Sequence, residues 1–319
     1  MSDYPQVTRD DVAAAAERIS GAVGRSPLIE ARIHGERLWL KCECLQTGGS
    51  FKLRGASNRL MLLSDDERKR GVVAFSSGNH AQGVAIAARR LGLAATIVMP
   101  SDAPALKIEG TRNQGAEVIL YDRRTEDRVA IADRIAAETG ATVVPSFDDP
   151  HIVAGQGTVG LEILDQLDQA RERPPARIVV NCGGGGLASG IALACPDAEV
   201  VTVEPEGWDD MLRSLEKGEI VPVSPDAPPT MCDAIQTPLV SPITFGILHA
   251  RGVRGVAVSE KEVAEALRWA WRKHGLVVEP GGAASIAAIL SGKVEIAPET
   301  VAIVSGGNID PALHARLIG

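Results

Sequence analysis

The sequence predicts an α/β protein of two lobes, built on open, twisted, mostly parallel sheets flanked by helices. Three observations carry this. Short β-rich runs alternate with amphipathic helical stretches along the chain, the pattern of strand–helix–strand units. Several predicted strands run straight into polar, glycine-bearing turns that open helices. Aromatics make up only 3% of the residues, while Ala, Val, Ile, Leu and Gly dominate. Such a composition suits parallel strands covered on both faces by Ala-rich helices.

In chain order, the predicted strands are residues 38–42, 72–75, 95–99, 117–120, 142–144, 177–181, 199–203 and 300–304. The predicted helices are residues 10–23, 79–91, 104–114, 125–139, 155–166, 260–274 and 283–291. Three strand ends stand out. Phe75 leads into Ser76-Ser77-Gly78-Asn79-His80, Val180 leads into Asn181 and toward four glycines, and Val304 leads into Ser305-Gly306-Gly307-Asn308. Open α/β sheets bind ligands at the carboxyl ends of their strands. Three such turns predict one site assembled from distant parts of the chain.

The chain has 319 residues, 45% hydrophobic and 23% charged. That is too long for one small domain and comfortable for two lobes sharing an interior. Its net charge is −8, with an isoelectric point near 5.4. An acidic chain with no basic block is a poor partner for nucleic acid or an anionic membrane surface. No apolar run reaches membrane-spanning length. The start, Met1-Ser2-Asp3-Tyr4-Pro5, lacks a secretory pattern, and a cytoplasmic location is expected. Five cysteines, an odd number, argue against a disulfide framework. Cys42-Glu43-Cys44 reads as a metal or redox pair, or as a strand end with two small residues. The absence of a second Cys/His pair at ligand spacing favours the strand end.

Four segments carry candidate chemistry. Gly183-Gly184-Gly185-Gly186-Leu187 reads as an anion cradle, with free N–H groups at a helix start, or as a tight connection. Four glycines cost much backbone entropy for tightness alone. Ser50-Phe51-Lys52 predicts a helix capped by Ser50, with Lys52 in the first turn. A cation there opposes the helix dipole, and a lowered pKa or a neutral imine would relieve the conflict. Ser76–His80 combines hydroxyls, an amide and helix-opening N–H groups, a set that suits a carboxylate and a phenolic oxygen. Taken alone, the segment reads better as a plain capped helix. Ser305 at a strand end can hydrogen-bond a ring nitrogen.

In this order and spacing, the four segments resemble the fold-type II pyridoxal-phosphate enzymes (tryptophan synthase β-like), specifically the serine/threonine dehydratase and serine racemase family. The resemblance runs from about Val7 to Asp310. It includes Ala154-Gly155-Gln156-Gly157-Thr158, Glu204-Pro205 and Val278-Glu279-Pro280. It implies pyridoxal 5'-phosphate as cofactor. Lys52 resembles the Schiff-base lysine and Phe51 the residue on the cofactor ring. Asn79 matches the partner of the phenolic oxygen, Gly183, Gly184, Gly185, Gly186 and Leu187 the phosphate loop, and Ser305 the partner of the pyridine nitrogen. Ser76, Ser77, Gly78, Asn79 and His80 match the segment receiving the substrate carboxylate. The resemblance also implies a large cofactor-binding lobe (1–66 with 149–319), a small lobe (67–148) and a homodimer.

The reaction so implied is dehydration and deamination of a 2-amino-3-hydroxy acid, such as L-threonine or L-serine, to a 2-oxo acid and ammonia. Lys52 would act as general base, and a hydroxyl at the ring nitrogen favours elimination over transamination. Alternatives are amino acid racemisation and dehydration of 3-hydroxyaspartate. Ser77 falls where racemases carry a second catalytic group, whereas Phe147-Asp148 looks dehydratase-like. β-Replacement and a non-enzymatic role fit less well, given Phe147-Asp148 and Lys52 respectively. In racemase-like members Glu204, the Trp208 carbonyl and Asp210 match ligands of Mg²⁺, Mn²⁺ or Ca²⁺; without the resemblance the segment reads as an acidic loop. The stretch Thr230-Met231-Cys232-Asp233-Ala234 departs from the family pattern at Cys232 and Ala234, beside the expected cofactor. Cys232 reads as a packing residue rather than a nucleophile. Arg54 reads as an ion-pair partner. Arg128 reads as a surface residue or as the partner of a second substrate carboxylate.

Overall fold

A computed structural model of the chain describes residues 6–76, 78–103 and 105–319. Its ten strands are β1 (Leu28–Ile33), β2 (Glu36–Cys42), β3 (Val72–Phe75), β4 (Ala95–Pro100), β5 (Glu117–Tyr121), β6 (Thr142–Val143), β7 (Arg177–Asn181), β8 (Glu199–Pro205), β9 (Arg254–Val258) and β10 (Val301–Val304). Six form a sheet in the order β1-β2-β10-β7-β8-β9, and four form a second in the order β5-β4-β3-β6. Every pairing is parallel except β1 with β2.

The centre of the large sheet follows from its apolar runs. Ile178, Val179, Val180 and all of β10 are fully buried. Alternate side chains leave a strand on opposite faces, so each strand feeds two cores. Val179, Val201, Ala302 and Val304 join one cluster. Ile178, Val180, Val200, Val301 and Ile303 join the other. A third cluster lies between β3, β4 and the Asn79–Leu91 helix, through Val72, Ala74, Ile97, Val84 and Ala88.

Every predicted strand is present, within a residue or two at its ends. The two that the sequence pattern missed, β1 and β9, are the edges of the large sheet. Edge strands bury less, and charges interrupt their apolar runs: Glu30 and Arg32 point outward in β1, and Arg254 opens β9. Among the helices, the 155–166 prediction is the middle of a longer one, Pro150–Gln169, whose start is capped by the Asp149 side chain. The 10–23 prediction stops at Arg18. Helices at Asp65–Arg70, Pro242–Ala250 and Pro311–Ile318 were not anticipated. They are short, yet Ser64, Ser241 and Asp310 cap them, a signal present in the sequence.

The Pro150–Gln169 helix is the spine on which the functional segments rest. The Lys52–Met61 and Gly186–Ala194 helices both pack on it. The second contact needs bare backbone: a Cβ at Gly157 would lie 2.7 Å from the Gly190 carbonyl oxygen. Among the described residues no helix is long and apolar enough to cross a membrane.

Candidate active site

Strands β2, β10 and β7 lie side by side in the large sheet, so their carboxyl ends bring three segments together. The first carries Lys52. The Phe51 N–H donates to the Ser305 carbonyl at 3.2 Å, and the Gly307 N–H donates to the Gly49 carbonyl at 2.9 Å. Ser50 bridges to Gly306. This corrects the expected cap: Phe51 holds the N-cap position with no side-chain bond, and buried Ser50 instead ties the lysine segment to the serine segment.

Lys52 is the first residue of its helix and is half-buried. Its Nζ donates to the Ser146 carbonyl at 2.9 Å and lies 5.2 Å from the centre of the Phe51 ring. Loss of water around the ammonium pulls its pKa down to about 8, against an opposing pull from Glu279. Burial thus relieves the conflict with the helix dipole, and among the described residues no carboxylate forms an ion pair with the ammonium.

The second segment is the glycine run. Gly185 has a φ of +86° and caps the Gly186–Ala194 helix, a backbone conformation that L side chains rarely adopt. The helix's first N–H groups have no intrahelical partner. Phe147 lies against Gly184 and Gly186, and buried Leu187 belongs to the core below. The third segment begins at Ser305, which is buried. Its Oγ lies 2.9 Å from Nδ2 of Asn181, the last residue of β7.

From the smaller sheet, β3 delivers Ser76. The Ser76 Oγ accepts from the Gly78 N–H at 3.2 Å, and Gly78 caps the Asn79–Leu91 helix. Ser77 lies outside the described residues. Asn79 is buried and its amide is engaged on both sides. Its Nδ2 donates to Glu279 Oε1 at 2.5 Å, and its Oδ1 accepts from Asn308 Nδ2 at 2.7 Å. One amide N–H is left over. His80 donates from Nε2 to the Val144 carbonyl at 2.8 Å, and its Nδ1 has no partner. Burial pushes its pKa down to about 3, so the ring is neutral and structural.

Sequence reasoning named Asn181, Asn308 and Glu279 within the matching segments but gave none of them a role in the site. Glu279 is buried, its Oε2 has no partner, and burial pushes its pKa up to about 7. The available signal was an acid next to the apolar run Leu276–Val278, ahead of Pro280-Gly281-Gly282. Cys232 is fully buried, and burial pushes its thiol up to about 12, consistent with packing. Arg54 pairs with Glu43 and Glu162, as expected. Arg128 is exposed, with its guanidinium 5.6 Å from the Phe75 ring centre.

The expected cation ligands are less developed. Glu204 is buried beside Asp210, but its two oxygens accept the Met211 and Leu212 N–H groups at 2.9 and 2.8 Å. Both Asp210 carboxylate oxygens are buried without partners. The Trp208 side chain is turned to the Pro228 carbonyl. Among the described residues no three His, Cys, Asp or Glu side chains cluster as a metal cage, so any such site would lean on backbone and water.

The chain matches the family model of pyridoxal-phosphate dependent enzymes over residues 19–306. It is 43% identical to an L-threo-3-hydroxyaspartate ammonia-lyase of Pseudomonas sp, covering 97% of each chain. It is 41% identical to the L-threonine ammonia-lyase of Thermotoga maritima, covering 98% of this chain and 78% of that one. Its fold superposes on maize serine racemase with a TM-score of 0.90 at 33% identity, covering 98% and 97% of the two chains. The chain therefore belongs to the fold-type II pyridoxal-phosphate dependent enzymes, in the group that holds the threonine and hydroxyaspartate ammonia-lyases and the serine racemases.

Proposed function

We propose that the protein removes water from a 2-amino-3-hydroxy acid to give an enamine, whose imine tautomer is then hydrolysed by water to a 2-oxo acid and ammonia. One observation carries this reading. Lys52, its pKa lowered to about 8 by burial, is joined to the Ser305 segment by the Phe51 N–H on the Ser305 carbonyl, and Ser305 offers a hydroxyl where other cofactor sites use a carboxylate. The residues fit pyridoxal phosphate. Lys52 would meet the aldehyde, the N–H groups opening the Gly186–Ala194 helix would hold the phosphate, Asn79 would offer its second amide N–H to the phenolic oxygen, and Ser305 would hold the ring nitrogen. When bound, the cofactor supplies an electron sink for charge developing at the substrate's Cα.

The protein's own groups do the rest. The N–H groups of Asn79 and His80, with that of Gly78 once it leaves the Ser76 hydroxyl, would bind the substrate carboxylate. The Lys52 amine, neutral in its buried setting, would take the Cα proton. Phe51 and Phe147 exclude water from the lysine and the glycine run. A neutral hydroxyl at Ser305 holds less charge on the ring than an aspartate would, which favours prompt loss of the β-hydroxyl. The division into lobes 1–66 with 149–319 and 67–148, and the homodimer, belong to the same proposal; analytical ultracentrifugation tests the dimer.

Racemisation is the second reading. It rests on Ser77 as an opposing acid/base group and on the likeness to maize serine racemase. A divalent cation is the accompanying proposal, held by Asp210, Glu204 and the Trp208 carbonyl. Its support is the pair of unpartnered Asp210 oxygens, and burial pushes that carboxyl up to about 7. Mg²⁺ or Ca²⁺ at about 100 times Kd should stabilise the protein by about 2.7 kcal/mol, raising Tm in the wild type and not in Asp210→Asn. Equal Tm shifts in both would remove the site.

The deciding experiment is a panel of L-serine, D-serine, L-threonine and L-threo-3-hydroxyaspartate. Both 2-oxo acid and the chirality of remaining substrate are measured, with and without chelator. Oxo acid from at least one hydroxyamino acid is expected. Inverted substrate with no oxo acid would replace the lyase by the racemase.

A further inference from the structure

Asn181 closes β7 and is buried at 4% exposure, so each of its polar atoms must be accounted for. Its Oδ1 accepts the Ser285 N–H at 2.6 Å. Its Nδ2 faces three oxygens: the Gly282 carbonyl at 2.9 Å, the Ile303 carbonyl at 3.0 Å and the Ser305 hydroxyl at 2.9 Å. This pattern fixes which way the amide points. A flipped amide would turn its oxygen onto two carbonyls and its NH₂ onto an N–H.

The chemistry at Ser305 follows. An amide nitrogen has no lone pair to offer a hydroxyl proton. Toward Asn181, the Ser305 oxygen can therefore only accept. Among the described residues its proton has no protein acceptor, since Asn181 is the only side-chain hydrogen-bond partner of the Ser305 hydroxyl there. The buried hydroxyl must donate in another direction or leave its proton unpaired, which burial penalises.

We propose that Asn181 is a positioning residue that sets the Ser305 hydroxyl as a hydrogen-bond donor to the cofactor's ring nitrogen, and so keeps that nitrogen unprotonated. The inference rests on the proposed seating of the ring against Ser305. The same amide ties together β7, the 280–285 turn and the end of β10. The donor direction is thus built into the sheet rather than into a loop.

The test is the ¹⁵N resonance of ring-labelled cofactor in the reconstituted holoenzyme. The wild type should show an unprotonated, hydrogen-bonded ring nitrogen. Ser305→Ala sets the scale by moving the resonance to that of an unbonded pyridine. Asn181→Ala, and Asn181→Val, which keeps the strand propensity, should displace it by a comparable amount. Asn181 variants that match the wild type while Ser305→Ala moves would overturn the role of Asn181 and leave the seating intact. An unmoved Ser305→Ala would instead remove the seating itself, and the inference with it. Should neither Asn181 variant load cofactor, the wild-type resonance decides. A pyridinium value means that Ser305 accepts, and the inference fails. A hydrogen-bonded, unprotonated value that shifts when D₂O replaces water supports it.

Discussion

Lys52 is a cation at the positive end of a helix, with no acid in that helix's first turn. Burial lowers its pKa from 10.5 to about 8, roughly 3 kcal/mol of preference for the neutral amine. Capture of the cofactor aldehyde requires that neutral amine. The capture rate, followed by absorbance after adding cofactor, should rise with pH and level off above about 8. A lysine of ordinary pKa would keep accelerating toward 10.5, and that profile would refute the depression. The sign for stability is the same: before cofactor binds, the unfolded chain holds the extra proton between about 8 and 10.5, so stability rises with pH across that window. Lys52→Met should remove this dependence. Arg128 bears on substrate identity. If it meets a second carboxylate, Arg128→Ala should cut kcat/KM for 3-hydroxyaspartate by about 10- to 100-fold, as loss of a charged hydrogen bond implies, and spare L-threonine and L-serine. Equal losses on all three would assign Arg128 to stacking on Phe75.

On the same helix as the lysine, Arg54 joins a cluster of three buried charges and one half-buried one, Glu162. Arg54 bonds Glu43 through Nε at 2.8 Å and Glu162 through Nη1 at 2.7 Å, while Lys41 bonds Glu162 at 2.6 Å. Arg54, Glu43 and Lys41 are each at most 1% exposed. Two cations and two anions balance, linking β2, the Lys52–Met61 helix and the long Pro150–Gln169 helix. Breaking a buried pair leaves a charge uncompensated and costs about 3–5 kcal/mol. Glu43→Ala should therefore lower the denaturant midpoint by that free energy. A loss below about 1 kcal/mol would mean that water reaches Arg54. The sequence showed only the types of these residues. Arg54 was legible as an ion-pair partner, but Glu162 is 108 positions away, and only the packing of two helices brings them together.

At the scale of the molecule, all five cysteines are free and buried, and none belongs to the four-stranded sheet. Thiol labelling should be slow in native buffer and reach five equivalents in denaturant. It would report opening of the large sheet and stay silent to opening of the smaller one. Fast labelling of Cys232 under native conditions would show that the loop beside the glycine run opens locally. The fold itself was largely legible. Eight of the ten strands were readable, including β5 and β6 at the edges of the smaller sheet, because each keeps a short β-rich run. β1 and β9, the edges of the larger sheet, were not: Glu30 and Arg32 break the run of β1, and Arg254-Gly255 shorten that of β9.

The sequence by itself determined the family, since four ordered motifs carry more information than any one of them, and each survives as a local run of residues. It also determined that Lys52 opens a helix and that glycines end β7. Only the tertiary structure decided what those motifs touch. The hydroxyl of Ser305 gains its direction from Asn181, Asn79 gains Glu279, and the lysine segment is held by Ser305 rather than by a Ser50 cap. These partners lie 124 and 200 positions apart in the first two cases. Sequence patterns report spacing along the chain, whereas hydrogen bonds and burial depend on which strand ends the sheet order makes neighbours.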